Sequence, residues 1–415
     1  GGMLAVVLLI LGRPDTVLEA LSLDSFLGLR FWFAHGGVTE LNVGINWSTV
    51  LFLVGMMVLV EEMSQAGFFD WACLRLAKAL HFRPLPVMMS FMVLAAVLSM
   101  FVDSITVILF LVVATVRLAH FLQFDPVPLI IGEIVTANLG GAATMSGDPP
   151  NIILGTSLGL SFWDFIWNNG VICLVGLVVV LVYFYICFRT KLGDGIPEAS
   201  PELLHLNPAD AIANPRKFRI SVCIFGVVIA LVTTHTATGL TMPTVGLLAT
   251  AATLLTTTYP KELLKRVDWG TIGFIIGLFI AVNGLEQVGI LDGLAQLLVR
   301  VSGGGLTGLV VVLIWFTAIA SAFVDNIPMT TIMVPVILSL SETCGVDLQT
   351  LAWTLSKGTD IGGIATPIGA SANVTGVTVA AQEGHPVSWG RYCKYTVPVC
   401  LLVLLLSMTL ILVRH

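Results

Sequence analysis

The chain has 415 residues, of which 57% are apolar and 11% charged, with a formal net charge of −6. Ordinary soluble domains devote about a quarter of their residues to charge, so this composition excludes a soluble globular protein and requires an exterior that faces lipid. The apolar residues come in long runs and not in short alternating segments, which excludes a β-barrel as well.

In chain order, Gly1 and Gly2 precede Met3 and the first apolar run is about half a bilayer long, so the natural chain is expected to begin earlier. No secretory cleavage site is evident. Apolar runs from Thr49 to Val60, Pro86 to Val102, Ile220 to Thr234, Leu306 to Val324 and Val397 to Val413 predict membrane helices. Segment 68–80 carries apolar residues at helical spacing with Arg75 and Lys78 opposite, the pattern of a helix lying in the membrane interface. The most polar stretch, 189–219, contains Arg189, Lys191, Arg216, Lys217 and Arg219 and reads as a cytoplasmic linker. It divides the chain into a first transmembrane repeat (1–188), the linker (189–219) and a second transmembrane repeat (220–415). The seven cysteines stand singly without CxxC spacing and read as buried thiols, and the seven histidines show no metal-ligand spacing.

The two halves are copies. Laying Trp47-Ser48-Thr49 on Trp269-Gly270-Thr271, an offset of 222 residues, also pairs Gly55 with Gly277, Gly67 with Gly289 and Asp70 with Asp292. Without a gap it goes on to pair Asp103 with Asp325, Gly140-Gly141 with Gly362-Gly363, Thr144 with Thr366, Gly147 with Gly369 and Asn151 with Asn373. The first copy is basic around Arg75, Lys78 and Arg83 where the second keeps only Arg300, an asymmetry that opposite orientations explain. Inverted repeats of this kind are a recurrent design of secondary transporters, with the solute site where the repeats meet.

Segments 138–151 (NLGGAATMSGDPPN) and 360–373 (DIGGIATPIGASAN) cannot be continuous helices, because their glycines and prolines break the hydrogen-bond ladder. Such backbone survives at membrane depth only inside protein or beside a wet cavity. A second pair of breaks lies at 101–104 and 323–328, each with a carboxylate after a long apolar run. Ionisable residues inside a membrane cost at least about 2.5 kcal/mol and are functional candidates by default. Asp103, Asp148, Asp325 and Asp360 qualify, with Glu133 a weaker fifth. Asp148 faces Ala370 across the repeat and Asn138 faces Asp360, so these two carboxylates are the candidates for proton or ion coupling that the shared fold does not require. Asp103 and Asp325 remain candidates for ion coupling, and the alternative that they merely cap restarted helices is compatible with that role.

At these segments the chain resembles the ArsB/NhaD permeases of the ion transporter superfamily, in the branch that includes the melanosomal P protein. The carrying stretches are GGAATMSGDPPNIILG at 140–155, SAFVDNIPMTTIMVPVI at 321–337 and IGASANV at 368–374. The resemblance implies an all-α polytopic membrane protein of two inverted repeats, each with scaffold helices plus a re-entrant hairpin and a discontinuous helix, in which the transport part moves as a lift. The dicarboxylate branch places Ser-Asn-Thr at its hairpin tips. Here Pro149-Pro150-Asn151 and Ser371-Ala372-Asn373 occupy those places, which argues against a sodium-coupled dicarboxylate carrier.

The expected function is proton-coupled efflux of arsenite or antimonite from the cell inner (plasma) membrane, resting largely on that resemblance. Asn151, Asn373, Asn326, Thr144, Thr366, Ser104 and Ser371 would supply donors and acceptors to a small inorganic solute, beside the glycine backbone at Gly141 and Gly363. A sodium/proton antiporter stands close behind, followed by a P-protein-like organic-anion carrier. Outside the transporter class, a passive channel is the alternative. No nucleophile-and-base set and no Gly-x-x-x-x-Gly-Lys-Ser/Thr loop is present, which argues against an enzyme or an ATP-driven pump within this chain. No cofactor is expected beyond H⁺ and, for the antiporter, Na⁺. The expected surroundings are membrane lipid, with a homodimer and a separate ATPase subunit left open as partners and no nucleic acid.

Overall fold

The structure is a computed structural model that describes residues 44–122, 124–193, 207–212 and 214–414, together with Leu21, Phe26 and 28–33. The first apolar run and the middle of the expected linker lie outside the described residues. Within them the chain is helical, with one isolated bridge between Phe33 and Leu240 in place of any strand. The first half contributes α1 (Trp47–Gln65), α2 (Phe68–Ala79), α3 (Pro84–Ser99), α4 (Ser104–Leu122), α5 (Val127–Gly141), α6 (Pro149–Leu158) and α7 (Val171–Gly193). After α8 (Pro215–Thr238) and α9 (Met242–Thr256), the second half contributes α10 (Trp269–Gln287), α11 (Ile290–Ser302), α12 (Leu306–Ser321) and α13 (Asn326–Cys344). It closes with α14 (Leu348–Gly363), α15 (Ser371–Gln382) and α16 (Trp389–Arg414). Among the described residues seven helices are long and apolar enough to cross a membrane, and α11 and α12 form a pair bent by 120°.

The offset of the sequence repeat reappears in the backbone: α1, α2, α3, α4 and α6 start 222 residues before α10, α11, α12, α13 and α15. Local chemistry follows the same register. Gly67 and Gly289 both enter the next helix with left-handed backbone (φ 86° and 73°), which a side chain would disfavour. The side chains of Asn46 and Asp268 cap α1 and α10 by accepting from the backbone N–H of Thr49 and Thr271. Helix α2 buries Phe69, Cys73 and Ala77 along one stripe, as its amphipathic spacing predicts.

Three sequence expectations shift. The glycine pairs 140–141 and 362–363 do not lie in the breaks but close the last turns of α5 and α14, and the non-helical stretches are 142–148 and 364–370. Glycine serves there because the helices cross at backbone distance: a Cβ on Gly140 would stand 2.1 Å from the Ala96 carbonyl oxygen and one on Gly362 2.3 Å from Ala318 Cα. Also, α3 and α4 pack on each other either side of the turn at 100–103, whereas α5 and α6 scarcely touch. The hairpin of each repeat is therefore α3/α4 or α12/α13 and the discontinuous helix is α5/α6 or α14/α15, so Pro149-Pro150-Asn151 and Ser371-Ala372-Asn373 start the second pieces of the discontinuous helices and are not the hairpin tips that the resemblance implied. The linker is shorter than 189–219, since α7 runs to Gly193 and α8 starts at Pro215.

The repeats interlock. Helix α6 packs on α13 and α15 packs on α4, so the second piece of each discontinuous helix docks on the other repeat's hairpin. Outside this block, α1 and α9 cross where a Cβ on Gly55 would stand 2.2 Å from the Gly246 oxygen. These crossings set up a contrast. Gly362→Ala must push backbone apart and should lower the melting temperature by several degrees, while Gly273→Ala, whose Cβ meets nothing within 4 Å, should leave it unchanged. Fluorescence-detected melting in detergent measures both.

Candidate substrate and ion site

Four helix N-termini meet between the repeats, at Ser104 of α4, Pro149 of α6, Asn326 of α13 and Ser371 of α15. They line a narrow pocket with Asp103, Ile105, Asp148, Ile327, Ala370 and Ala372. Each N-terminus presents backbone N–H groups that its own helix cannot satisfy, and each pair is bridged by one carboxylate. In the first repeat Asp148 Oδ1 accepts from the Ser104 N–H at 3.3 Å and from Ser104 Oγ at 2.5 Å. In the second the chemistry is exchanged, for Ser371 of the discontinuous helix donates to Asp325 of the hairpin turn. Asp325 also caps α13 by accepting from the Ile327 N–H at 3.0 Å. The repeat thus preserves a carboxylate–serine bridge between hairpin and discontinuous helix while swapping which element carries the charge.

Asp103 caps α4, accepting from the N–H and hydroxyl of Thr106 at 3.2 and 3.3 Å. Capping and a place in the pocket are both realised at Asp103, whereas Asp325 caps α13 and meets the pocket only through Ser371, which lines it. Asp148 is buried, and its Oδ2 has no hydrogen-bond partner, as is true of Asp103 Oδ1 and Asp360 Oδ1. Gly141 makes room for this carboxylate, since a Cβ there would come within 2.1 Å of Asp148 Oδ2. Gly363 matches it in position, but its Cβ would instead meet the Gly369 oxygen at 2.9 Å.

The remaining candidates brace the breaks. Thr144 donates to the Met100 carbonyl and Thr366 to the Ala322 carbonyl, each tying the break in a discontinuous helix to its hairpin turn. Asn151 Nδ2 donates to the Gly141 carbonyl at 3.0 Å and Asn373 Nδ2 to the Gly363 carbonyl at 2.8 Å, the same staple in each repeat. Their oxygens reach the opposite repeat: Ser356 Oγ donates to Asn151 Oδ1 at 2.8 Å and Asn138 Nδ2 to Asn373 Oδ1 at 2.9 Å. Both asparagines are buried. They do not face each other across the pocket, and their polar atoms are held by protein. Glu133 is also buried and accepts from Thr115 on α4, away from the pocket.

Asp360 lies next to this network, accepting from Ser356 Oγ at 3.3 Å. Asn169 Nδ2 donates to the same Ser356 Oγ at 2.8 Å. Sequence reasoning passed over Ser356, Asn169 and, above all, Lys357. That lysine is fully buried, and its Nζ donates to the Ala142 carbonyl at 2.8 Å and lies 3.0 Å from Cys173 Sγ. Its place one turn before Asp360, on the same helix face, was the signal available in the sequence.

Comparison with known proteins agrees with this architecture. Residues 3–358 match the family described as citrate transporter (CitMHS). The chain belongs to the citrate transporter family. A 46 kDa membrane protein of Mycobacterium leprae is 30% identical over 377 residues, covering 88% of this chain and 86% of that protein. An uncharacterized transporter of Mycobacterium tuberculosis is 29% identical over 359 residues, covering 85% of this chain and 82% of its own length. The human P protein is 27% identical over 457 residues, and the chain spans 54% of it. Among solved structures, the YdaH transporter of Alcanivorax borkumensis superposes with a TM-score of 0.62 at 12% identity, covering 99% of this chain and 97% of that one. This citrate transporter family member is accordingly a multi-pass membrane transporter, with the P protein among its relatives as the sequence resemblance implied.

Proposed function

We propose that the protein is a proton-coupled secondary transporter of the cell inner membrane that expels a small neutral hydroxylated solute of the arsenite or antimonite type by elevator-like alternating access. The observation that carries this reading is the charge balance of the pocket. Each of four helix N-termini contributes roughly half a positive charge, and Asp103, Asp148 and Asp325 already stand at them. A polycarboxylate such as citrate would find this positive end spoken for. An uncharged polyol-like solute needs only hydroxyl, amide and carboxylate partners, which Ser104, Ser371 and Asn326 provide beside Asp103 and Asp148. Ionisable oxygens without partners at Asp148 and Asp360 supply places for a coupling proton, since ionising them unpaired in a dry site is costly. The interlocked hairpins and discontinuous helices form the body that would move as a unit against α1, α8, α9 and α10, with the 189–219 segment on the cytoplasmic side.

The same oxygens, Asp148 with Ser104 and Asp325 with Ser371, favour a second reading in which Na⁺ is exchanged for protons. A solute panel separates the two. The purified protein should be stabilised against heat by arsenite or antimonite at millimolar concentration and not by citrate, with the shift lost in Ser371→Ala. Stabilisation by Na⁺ or Li⁺ alone would favour the antiporter, and stabilisation by citrate alone would overturn the charge argument.

A further inference from the structure

The break between α5 and α6 leaves the carbonyl end of a half-helix pointing into protein, which is where carriers with discontinuous helices hold a coupling cation. In the first repeat this end is occupied. The Lys357 ammonium, delivered by α14 of the other repeat, donates to the Ala142 carbonyl at 2.8 Å and is fully buried. A cation at a helix C-terminus is favoured by the dipole. At the matching place in the second repeat, Ile364 ends α14 and the residue equivalent to Lys357 is Val135, which carries no charge.

We propose that Lys357 is a tethered stand-in for the coupling cation at the first repeat's break, and that the proton it carries is one the transport cycle moves. The second half of this statement rests on the proton-coupled reading above, whereas the first stands without it. The titratable groups around the amine are few. Asp360 lies one turn along α14, Cys173 faces it from α7, and Asp148 extends from the break that holds Ala142. Helix α16 presents Cys400 and the buried Tyr392, α5 carries Glu133, and α6 and α12 contribute no ionisable side chain. Helix α13 carries Glu342 and Cys344 only at its far end.

In the proposed step a water molecule admitted from the pocket takes one proton from the ammonium and passes one to the unpartnered oxygen of Asp360, since the two groups make no direct contact. This leaves a neutral amine and a carboxylic acid, and the acid passes the proton to water once the pocket opens. The charge that pinned the carbonyl end of α5 is then gone, and α14 is free to shift against it. Reprotonation from the opposite side restores the pin.

The test uses the full-length protein in detergent with Na⁺ as the probe and choline as the control. The unaltered chain should show no Na⁺-dependent rise in melting temperature attributable to this site, while Lys357→Ala, which opens the carbonyl end, should gain one of several degrees. An equal shift in both proteins, or none in a folded Lys357→Ala, would overturn the stand-in role. Should Lys357→Ala fail to fold, Lys357→Arg keeps a permanent cation at the same carbonyl. It should remain insensitive to Na⁺ and, in proteoliposomes, lose arsenite flux driven by a pH gradient. Retention of that flux in Lys357→Arg would overturn the proton-carrying role. An unaltered chain that moves no arsenite under a pH gradient would instead defeat the proposed function and leave the Na⁺ arm to decide the lysine's role.

Discussion

Asp148→Asn should reduce pH-gradient-driven flux in proteoliposomes to the level of empty vesicles while leaving the protein folded. The geometry separates these outcomes. Asp148 Oδ1 holds the start of α4 through the Ser104 N–H and hydroxyl, and the amide oxygen of Asn can accept both bonds. Oδ2 has no partner, so the amide nitrogen of nearly equal size replaces it without breaking a contact. What disappears is the ability to carry charge or a proton at an oxygen on the pocket wall. Asp360→Asn should behave alike, because its Oδ1 is likewise unpartnered and Ser356 can still donate to its amide oxygen. Substrate exchange without net proton movement should survive in both. If both variants keep full pH-driven flux, the proton path runs elsewhere.

Asn373→Ala should destabilise the protein more than any pocket substitution. Three buried bonds converge on this side chain: Nδ2 donates to the Gly363 and Thr366 carbonyls at 2.8 Å each, and Oδ1 accepts from Asn138 at 2.9 Å. A buried group left unsatisfied costs about 1–3 kcal/mol in water-soluble proteins, and polar bonds within membranes average about 0.6 kcal/mol. Losing three places the expected cost at about 2–4 kcal/mol, visible as a clearly lowered melting temperature and poor yield. Asn151→Ala should follow the same direction with a smaller loss, as it removes two such bonds. A variant that melts like the unaltered protein yet no longer binds solute would instead make Asn373 a solute ligand.

That expectation departs from the sequence reading of both asparagines as solute ligands, and the reason is instructive. Spacing shows that a polar side chain recurs at matched places in two broken segments, but not whether its partner is a solute or the backbone its own break has freed. The repeat itself was legible because Gly, Asp, Asn and Trp have few other reasons to recur at one offset in apolar sequence, and the helix starts keep that offset. The positions of the breaks were legible from Pro149-Pro150 and the glycines, to within the last turn of the preceding helix. Which break is the hairpin was not, because that depends on whether the flanking helices pack on each other. Lys357 escaped notice for the opposite reason. It faces Val135 across the offset, so a search for matched residues passes over it, and its partner is a main-chain carbonyl without sequence identity.

A pH gradient should drive this protein to concentrate a small uncharged solute. Proteoliposomes given an imposed pH gradient, inside acidic or inside alkaline, and supplied with arsenite report on it directly. The predicted result is accumulation above the outside concentration in one gradient direction only, abolished by a protonophore and by Asp148→Asn. Equilibration without accumulation would reveal a channel, and accumulation of citrate but not arsenite would contradict the claim.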